Sequence, residues 1–211
     1  MTQNTLTKGN NKKNIANFIK LMSDEQKMKI WIKTLLSVQA NLPEIIKSVD
    51  KIIEINAQSL SFISDIYNTE KSTYAQVERV IDLTERKNKL LNIYLVSKNL
   101  ISSVDEDDRI FLKRKYVYNW TAEDLATEYN ISIRTVFRRT DKLIEQIFER
   151  AKRKNWSINF ITLQVKNESW IIDRFYKFAK DSMNSSQPFY KDKNCDEIER
   201  EMWFLLTSNF S

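Results

Sequence analysis

Apolar residues recur along this chain at three- and four-residue intervals rather than in alternation, a spacing that predicts helices almost throughout. A first helix is expected from near Asn14, broken around Ser23–Asp24, to about Ala40, with Phe18, Leu21, Met22, Met28, Trp31, Ile32, Leu35 and Leu36 as its apolar residues. Pro43 suits the first turn of a second helix, which runs to about Tyr67 on Ile45, Ile46, Val49, Ile52, Ile53, Ile55 and Leu60. A third, capped by Ser72 or Thr73, reaches about Ser102 and carries Val77, Val80, Ile81, Leu90, Leu91, Tyr94, Leu95 and Leu100. These three helices predict an ordinary bundle core, with a dimerising coiled coil as the alternative. Trp156–Val165 has the β-branched residues of a strand, but Trp170, Ile171, Ile172, Phe175 and Phe178 beyond it are helix-spaced, so helix is expected there too. Residues 184–194 read as a loop around Pro188, followed by an amphipathic helix Asp196–Leu206 with Met202, Trp203, Leu205 and Leu206. The expected fold is all-α: a disordered tail over 1–13, a helical bundle or dimerisation region over 14–103, a distinct module over 104–154 and a helical C-terminal region over 155–211.

The module is the most explicit part. Asp105, Glu106, Asp107 and Asp108 precede a helix Arg109–Tyr118, where acids complement the helix dipole. A Ca²⁺ site is the sharper alternative, but no EF-hand ligand spacing follows. Ile110, Phe111 and Val117 are expected to close the module's core. Thr121 then caps a helix Ala122–Tyr129, with Asp124 in the reciprocal position of a shortened capping box. Leu125, Ala126 and Tyr129 share one side, and the small Ala126 permits a close helix crossing. Asn130-Ile131 makes the turn, because Asn tolerates the positive φ that such turns require. Ser132 caps the next helix. Taking Arg134 as zero and advancing about 100° per residue, Arg138 falls at roughly 40°, Lys142 at roughly 80°, Thr135 at roughly 100° and Arg139 at roughly 140°. Val136, Thr140, Leu143, Ile144 and Ile147 fall between roughly 180° and 280°. One face is therefore apolar and the other basic, the layout of a helix-turn-helix that places its second helix in a DNA major groove. Arg139, at the edge, stands where many such motifs bury an aliphatic residue.

Composition narrows the alternatives. The chain has no His, which removes His-based acid–base chemistry and most zinc sites. A single glycine, Gly9, cannot build a phosphate loop, and a single cysteine, Cys195, allows no disulfide framework or Cys-based metal cluster. The carboxylates mix with lysines as helix surfaces do. No catalytic residue, metal or cofactor is expected. No apolar run approaches the roughly 20 residues of a membrane span, and the polar leader is not a signal peptide, so a cytoplasmic protein without membrane partners is expected. The net charge of +6 is concentrated: from Arg109 to Lys154 there are twelve Lys or Arg against six Asp or Glu, leaving the remainder neutral. Starting that window at Asp105 adds four acids and lowers its charge to +2. Localised charge of this kind is the footprint of a nucleic-acid surface. The run Arg150, Lys152, Arg153, Lys154 either extends it or is a solvated helix end.

From about Ile81 to Ile147 the chain resembles the region 4 helix-turn-helix of sigma-70-type factors. It is more similar still to sigma-like phage and prophage transcriptional regulators of the ArpU and RinA type. The elements that carry the resemblance are Tyr116, Tyr118 and Trp120 in the lead-in, Ala126 in the first helix, and Ser132, Thr135 and Val136 at the start of the second. It covers roughly a third of the chain and implies promoter or operator binding. Arg134, Thr135 and Arg138 are expected at base edges, with Ser132 at the helix start, and Lys142, Arg139, Lys113 and Lys115 nearer phosphates. Double-stranded DNA is the implied partner; RNA polymerase and a second copy of the chain are further ones. Trp31 in KIWIKTLL has only a faint likeness to sigma region 2. The alternatives are a divergent sigma factor, a phage terminase small subunit acting in DNA packaging, and an interaction module without DNA affinity.

Overall fold

The computed structural model describes residues 15, 17–66, 70–102 and 104–185, and those residues are helical, with no strand among them. The predicted tail over 1–13, the helix Asp196–Leu206 and Cys195 lie outside the described residues. A helical turn at 17–21 is followed by α1 (Asp24–Val38), α2 (Leu42–Ile66), α3 (Glu70–Ile101), α4 (Glu106–Tyr116), α5 (Ala122–Glu128), α6 (Ile133–Arg153), α7 (Ile158–Val165) and α8 (Ser169–Ser185). No helix among the described residues is long and apolar enough to cross a membrane.

Local signals account for most boundaries. The expected break before α1 is made by Ser23, whose hydroxyl accepts from the Gln26 amide (3.2 Å) while its own amide donates to Gln26 Oε1 (3.0 Å). That reciprocal pair is a capping box. Pro43 lies in the first turn of α2, where its missing N–H costs nothing. Ser157 caps α7 by accepting from the Phe160 amide at 3.1 Å, so the segment with strand-like composition is a helix. α8 continues through Ser185, two residues into the expected loop. The start of α3 also differs from expectation. It begins at Glu70, so Ser72 and Thr73 are interior residues rather than caps.

The chain forms two compact units, whose boundary falls within α1 and near the end of α6: the described residues up to Thr34 with those from Lys152, and Leu35–Ala151. In the first, Trp31 is buried and stacks on Phe175 with ring centroids 4.4 Å apart, and Ile32, Ile161 and Ile171 are buried too. In the second, α2 and α3 are three residues apart in sequence and pack along each other, so they run antiparallel as a hairpin, with an ion pair of Asp50 and Lys87 across them. Leu42, Val49, Leu90, Ile93 and Leu100 are buried. The apolar residues expected to form one stripe on α3 divide into two. Leu90 and Leu100 face inward, whereas Val77, Ile81, Leu91 and Leu95 are exposed, as are Ile52 and Ile55 on α2.

The module α4–α5–α6 belongs to the second unit. Phe111, Leu125, Val136, Leu143 and Ile147 are fully buried. The expected face of α6 is confirmed, with Thr140 and Ile144 buried beside them. On α4 the expectation was out of phase. Ile110 is exposed and Val117 half-buried, while Leu112 and Tyr116 are the buried partners of Phe111. The helix starts at Glu106, not Arg109.

Burial pushes the Tyr116 phenol well above its usual range, and the nearby Asp141 carboxylate adds to the effect. The folded state therefore holds this proton more tightly than the unfolded chain. Its contribution is intact below pH of about 10, the ordinary tyrosine value, and is lost as pH rises beyond it. Stability measured by urea unfolding is expected to fall with a steeper alkaline limb in the natural chain than in Tyr116→Phe.

Candidate nucleic-acid interface

The turn between α5 and α6 is built from hydrogen bonds that the residue types make obligatory. Thr121 Oγ1 accepts from the Asp124 amide (3.1 Å) and Asp124 Oδ2 accepts from the Thr121 amide (2.9 Å), closing the capping box expected at the start of α5. The Thr121 amide first, and then the Thr121 hydroxyl, which donates to Asp124 Oδ2 at 2.8 Å, hold the Asp124 carboxyl below its usual range. At the other end, the Asn130 amide donates to the Thr127 carbonyl (3.2 Å) and the Ile131 amide to the Ala126 carbonyl (3.0 Å). This pair of bonds is a Schellman closure, which needs a left-handed residue after the helix. Asn130 supplies it with φ of 50°. Ser132 then opens α6, its hydroxyl accepting from the Thr135 amide at 3.1 Å.

α6 is held from outside by an ion pair between charged side chains 31 residues apart in sequence. Arg139 Nε and a terminal nitrogen donate to Asp108 Oδ1 at 2.8 Å and 2.5 Å. The same guanidinium lies over the Phe111 ring (4.6 Å) and the Tyr129 ring (5.2 Å). Tyr129 is also flanked by Arg114 (5.4 Å), which pairs with Glu128 at 2.8 Å and covers the Trp120 ring at 4.8 Å. One phenol therefore sits beside two guanidinium groups, and through them α4, α5 and α6 are joined at the edge of their apolar core, where Phe111 is buried. Arginine suits this role because its flat, weakly hydrated cation stacks on rings while its N–H fork binds a carboxylate.

The eight residues singled out from the sequence separate into four groups. Arg134, Arg138, Lys142 and Lys113 are exposed, and among the described residues neither Arg134 nor Arg138 enters an ion pair. Ser132 and Thr135 are committed to the helix start: their hydroxyls lie 2.9 Å apart, one donating to the other, and Thr135 is half-buried. Lys115 is half-buried with its Nζ 5.5 Å from the Phe137 ring. Arg139 departs most from expectation: its charge is neutralised by Asp108 within the fold, so it is withdrawn from the set available to phosphate.

Of these exposed cations Arg134, Arg138 and Lys142 stand on the first half of α6 and Lys113 on α4. Further along the same angular sector stand Asp141 and Glu145, at roughly 340° and 20° on the scale that puts Arg134 at zero. Beyond them Lys152 and Arg153, at roughly 0° and 100°, are exposed again at the end of the helix, so two basic stretches flank an acidic one. Phe137 was not anticipated. It is 54% exposed, one turn after Ile133, and at roughly 300° lies between the apolar face and Arg134. Its signal was present in the sequence as an aromatic lying off the apolar face of α6. No family model, curated protein or solved structure matches the chain. The interface is therefore judged on its own chemistry. It has no group of three or more His, Cys, Asp or Glu side chains gathered as metal ligands among the described residues.

Replacing Asn130 by Val is expected to cost about 1–2 kcal/mol, the penalty of a left-handed conformation for a residue with a Cβ branch. Asn130→Gly should stay within about 0.5 kcal/mol of the natural chain. Thermal unfolding distinguishes the two. Arg139→Met and Asp108→Asn should each lower stability by about 1–2 kcal/mol. Their combination should fall short of additivity by at least about 0.5 kcal/mol, the mark of a direct pair. Arg138→Met should leave stability unchanged in the same assay.

Proposed function

We propose that this chain binds double-stranded DNA sequence-specifically through α6, as a sigma-like regulator of transcription acting at promoters in the cytoplasm and without catalytic activity of its own. The observation that carries the reading is the pair Arg134 and Arg138, both exposed on the first half of a helix whose other face is buried. Arg at such positions binds guanine O6 and N7 through two parallel hydrogen bonds. Phe137 beside them offers an apolar surface to a thymine methyl. Lys142 and Lys113 supply phosphate contacts that position the helix without reading sequence. The resemblance of the α4–α6 segment to sigma region 4 and to the ArpU and RinA regulators supports the same arrangement, a helix-turn-helix with α6 in the major groove.

In this reading Arg139 and Arg114 do not touch DNA. They set the angle at which α6 is presented, so their loss weakens binding only through the scaffold. The divergent sigma factor and the terminase small subunit share the interface and differ in what DNA they select. Sequencing the fragments bound from a host genome separates them: promoter-like sites support regulation, packaging sites support the terminase reading, and an absence of enrichment overturns DNA recognition.

In a fluorescence binding assay, Arg134→Ala or Arg138→Ala should cost about 1–3 kcal/mol on the selected site and relax the preference at one base pair. Lys142→Ala should weaken all sequences alike and reduce the slope of log K against log salt by about one. Affinity that does not change between low and physiological salt contradicts the proposal.

A further inference from the structure

The α2–α3 hairpin is long for what it buries. Between Asp50 and Ser59 on α2, and between Thr73 and Lys89 on α3, no side chain is fully buried. The seam between the two helices is partly polar. Thr73, Gln76, Val80, Leu83 and Lys87 are its half-buried residues on α3, and the side-chain oxygen of Gln76 is buried without a hydrogen-bond partner. Helices of this length draw most of their stability from packing an apolar face. Here the apolar face points elsewhere.

Tyr74, Val77, Ile81, Leu91 and Leu95 are 75%, 41%, 54%, 37% and 46% exposed, and the exposed Thr84 and Asn88 fill the gap between them. The intervals are three, four, three, four, three and four residues. They form an uninterrupted heptad pattern with Tyr74, Ile81, Asn88 and Leu95 at a and Val77, Thr84 and Leu91 at d. The residues facing α2 form the neighbouring row of the same repeat, Gln76 and Leu83 at c with Thr73, Val80 and Lys87 at g, so the g positions lie between the two faces. We propose that this strip of α3 is the seam of a parallel two-stranded coiled coil with a second copy of this chain.

Three features select that occupant and that direction. A heptad repeat matches only another helix with the same repeat, and an identical copy supplies it. Asn88 stands alone as an amide at an a position, where in a parallel pair it meets its own counterpart and fixes register and two-strandedness. The flanking e positions hold Glu78 and Glu85. Parallel strands place them against g positions occupied by Thr73 and Val80, whereas antiparallel strands set carboxylate against carboxylate. The strip spans three heptads, about 33 Å of helix. With the stems of Glu78 and Glu85 it offers each copy on the order of 600–800 Å², close to the per-partner share of a stable interface. Because α4–α6 follow the C-terminal end of α3, a parallel pair carries both modules at one end of the assembly.

The test uses the full chain and no DNA, so it stands apart from the DNA-binding reading. Analytical ultracentrifugation should show a concentration-dependent dimer. Ile81→Glu with Leu91→Glu should raise its dissociation constant on the order of 100-fold or more. Both positions are exposed, and unchanged far-ultraviolet circular dichroism verifies that the variant folds. Independently, in a Cys195→Ser background, Val77→Cys alone and Leu91→Cys alone should each oxidise to a covalent homodimer, because a parallel register sets every residue opposite itself. A monomer at all concentrations, a dimer indifferent to the glutamates, or cross-linking only when the two cysteine variants are mixed would each overturn the proposal.

Discussion

The Arg139–Asp108 pair, set against Phe111 and Tyr129, is the constraint on which the α4–α6 module depends. Short helices cannot hold an orientation by propensity alone. α5 has seven residues and α4 eleven, both below the length at which isolated helices persist. The apolar side chains under α6 fix its distance from its neighbours but tolerate some rotation about its axis. A directional ion pair at the edge of that face, reaching from the first turn of α4 to the second turn of α6, restricts that freedom. The direction in which Arg134 and Arg138 point is therefore set by an arginine that does not itself face outward.

Glycine scarcity shapes the rest of the module. Helices commonly end on a left-handed residue, and the usual choice is glycine. This chain has one glycine in its whole length and uses asparagine instead: Asn119, Asn130 and Asn155 have φ of 55°, 50° and 54° and follow α4, α5 and α6 in turn. Asparagine reaches this region more readily than other residues with a Cβ but less freely than glycine. The turns are correspondingly stiffer in the unfolded-to-folded sense, since fewer conformations are open to them before they close.

How much of this was readable in the sequence follows from the range of each interaction. The Thr121–Asp124 box, the Asn130 turn, the Ser132 cap and the buried face of α6 all rest on contacts within about one helical turn, and spacing exposes such contacts directly. The fate of Arg139 rests on a partner 31 residues away. Two hints existed: an arginine in a register that many motifs fill with an aliphatic residue, and an acidic run beside α4. The run was assigned wholly to the helix dipole, and nothing local tied one to the other. The phase of α4 was missed because Ile110, Phe111, Leu112, Tyr116, Val117 and Tyr118 offer apolar or aromatic surface on nearly every side, so periodicity alone did not choose a face. On α3 the sequence suggests a single apolar stripe, whereas the structure divides it into a buried row and an exposed one.

The module contains two populations of arginine that respond differently to electrolyte. Arg134 and Arg138 stand in water, where mobile ions compete for them over about 8–10 Å at ordinary ionic strength. Arg139 and Arg114 are wedged against rings with much of their surface withdrawn from solvent, and bulk ions reach them poorly. A polyanion held at α6 in the proposed manner would therefore be released by salt that leaves the Arg139 and Arg114 contacts in place.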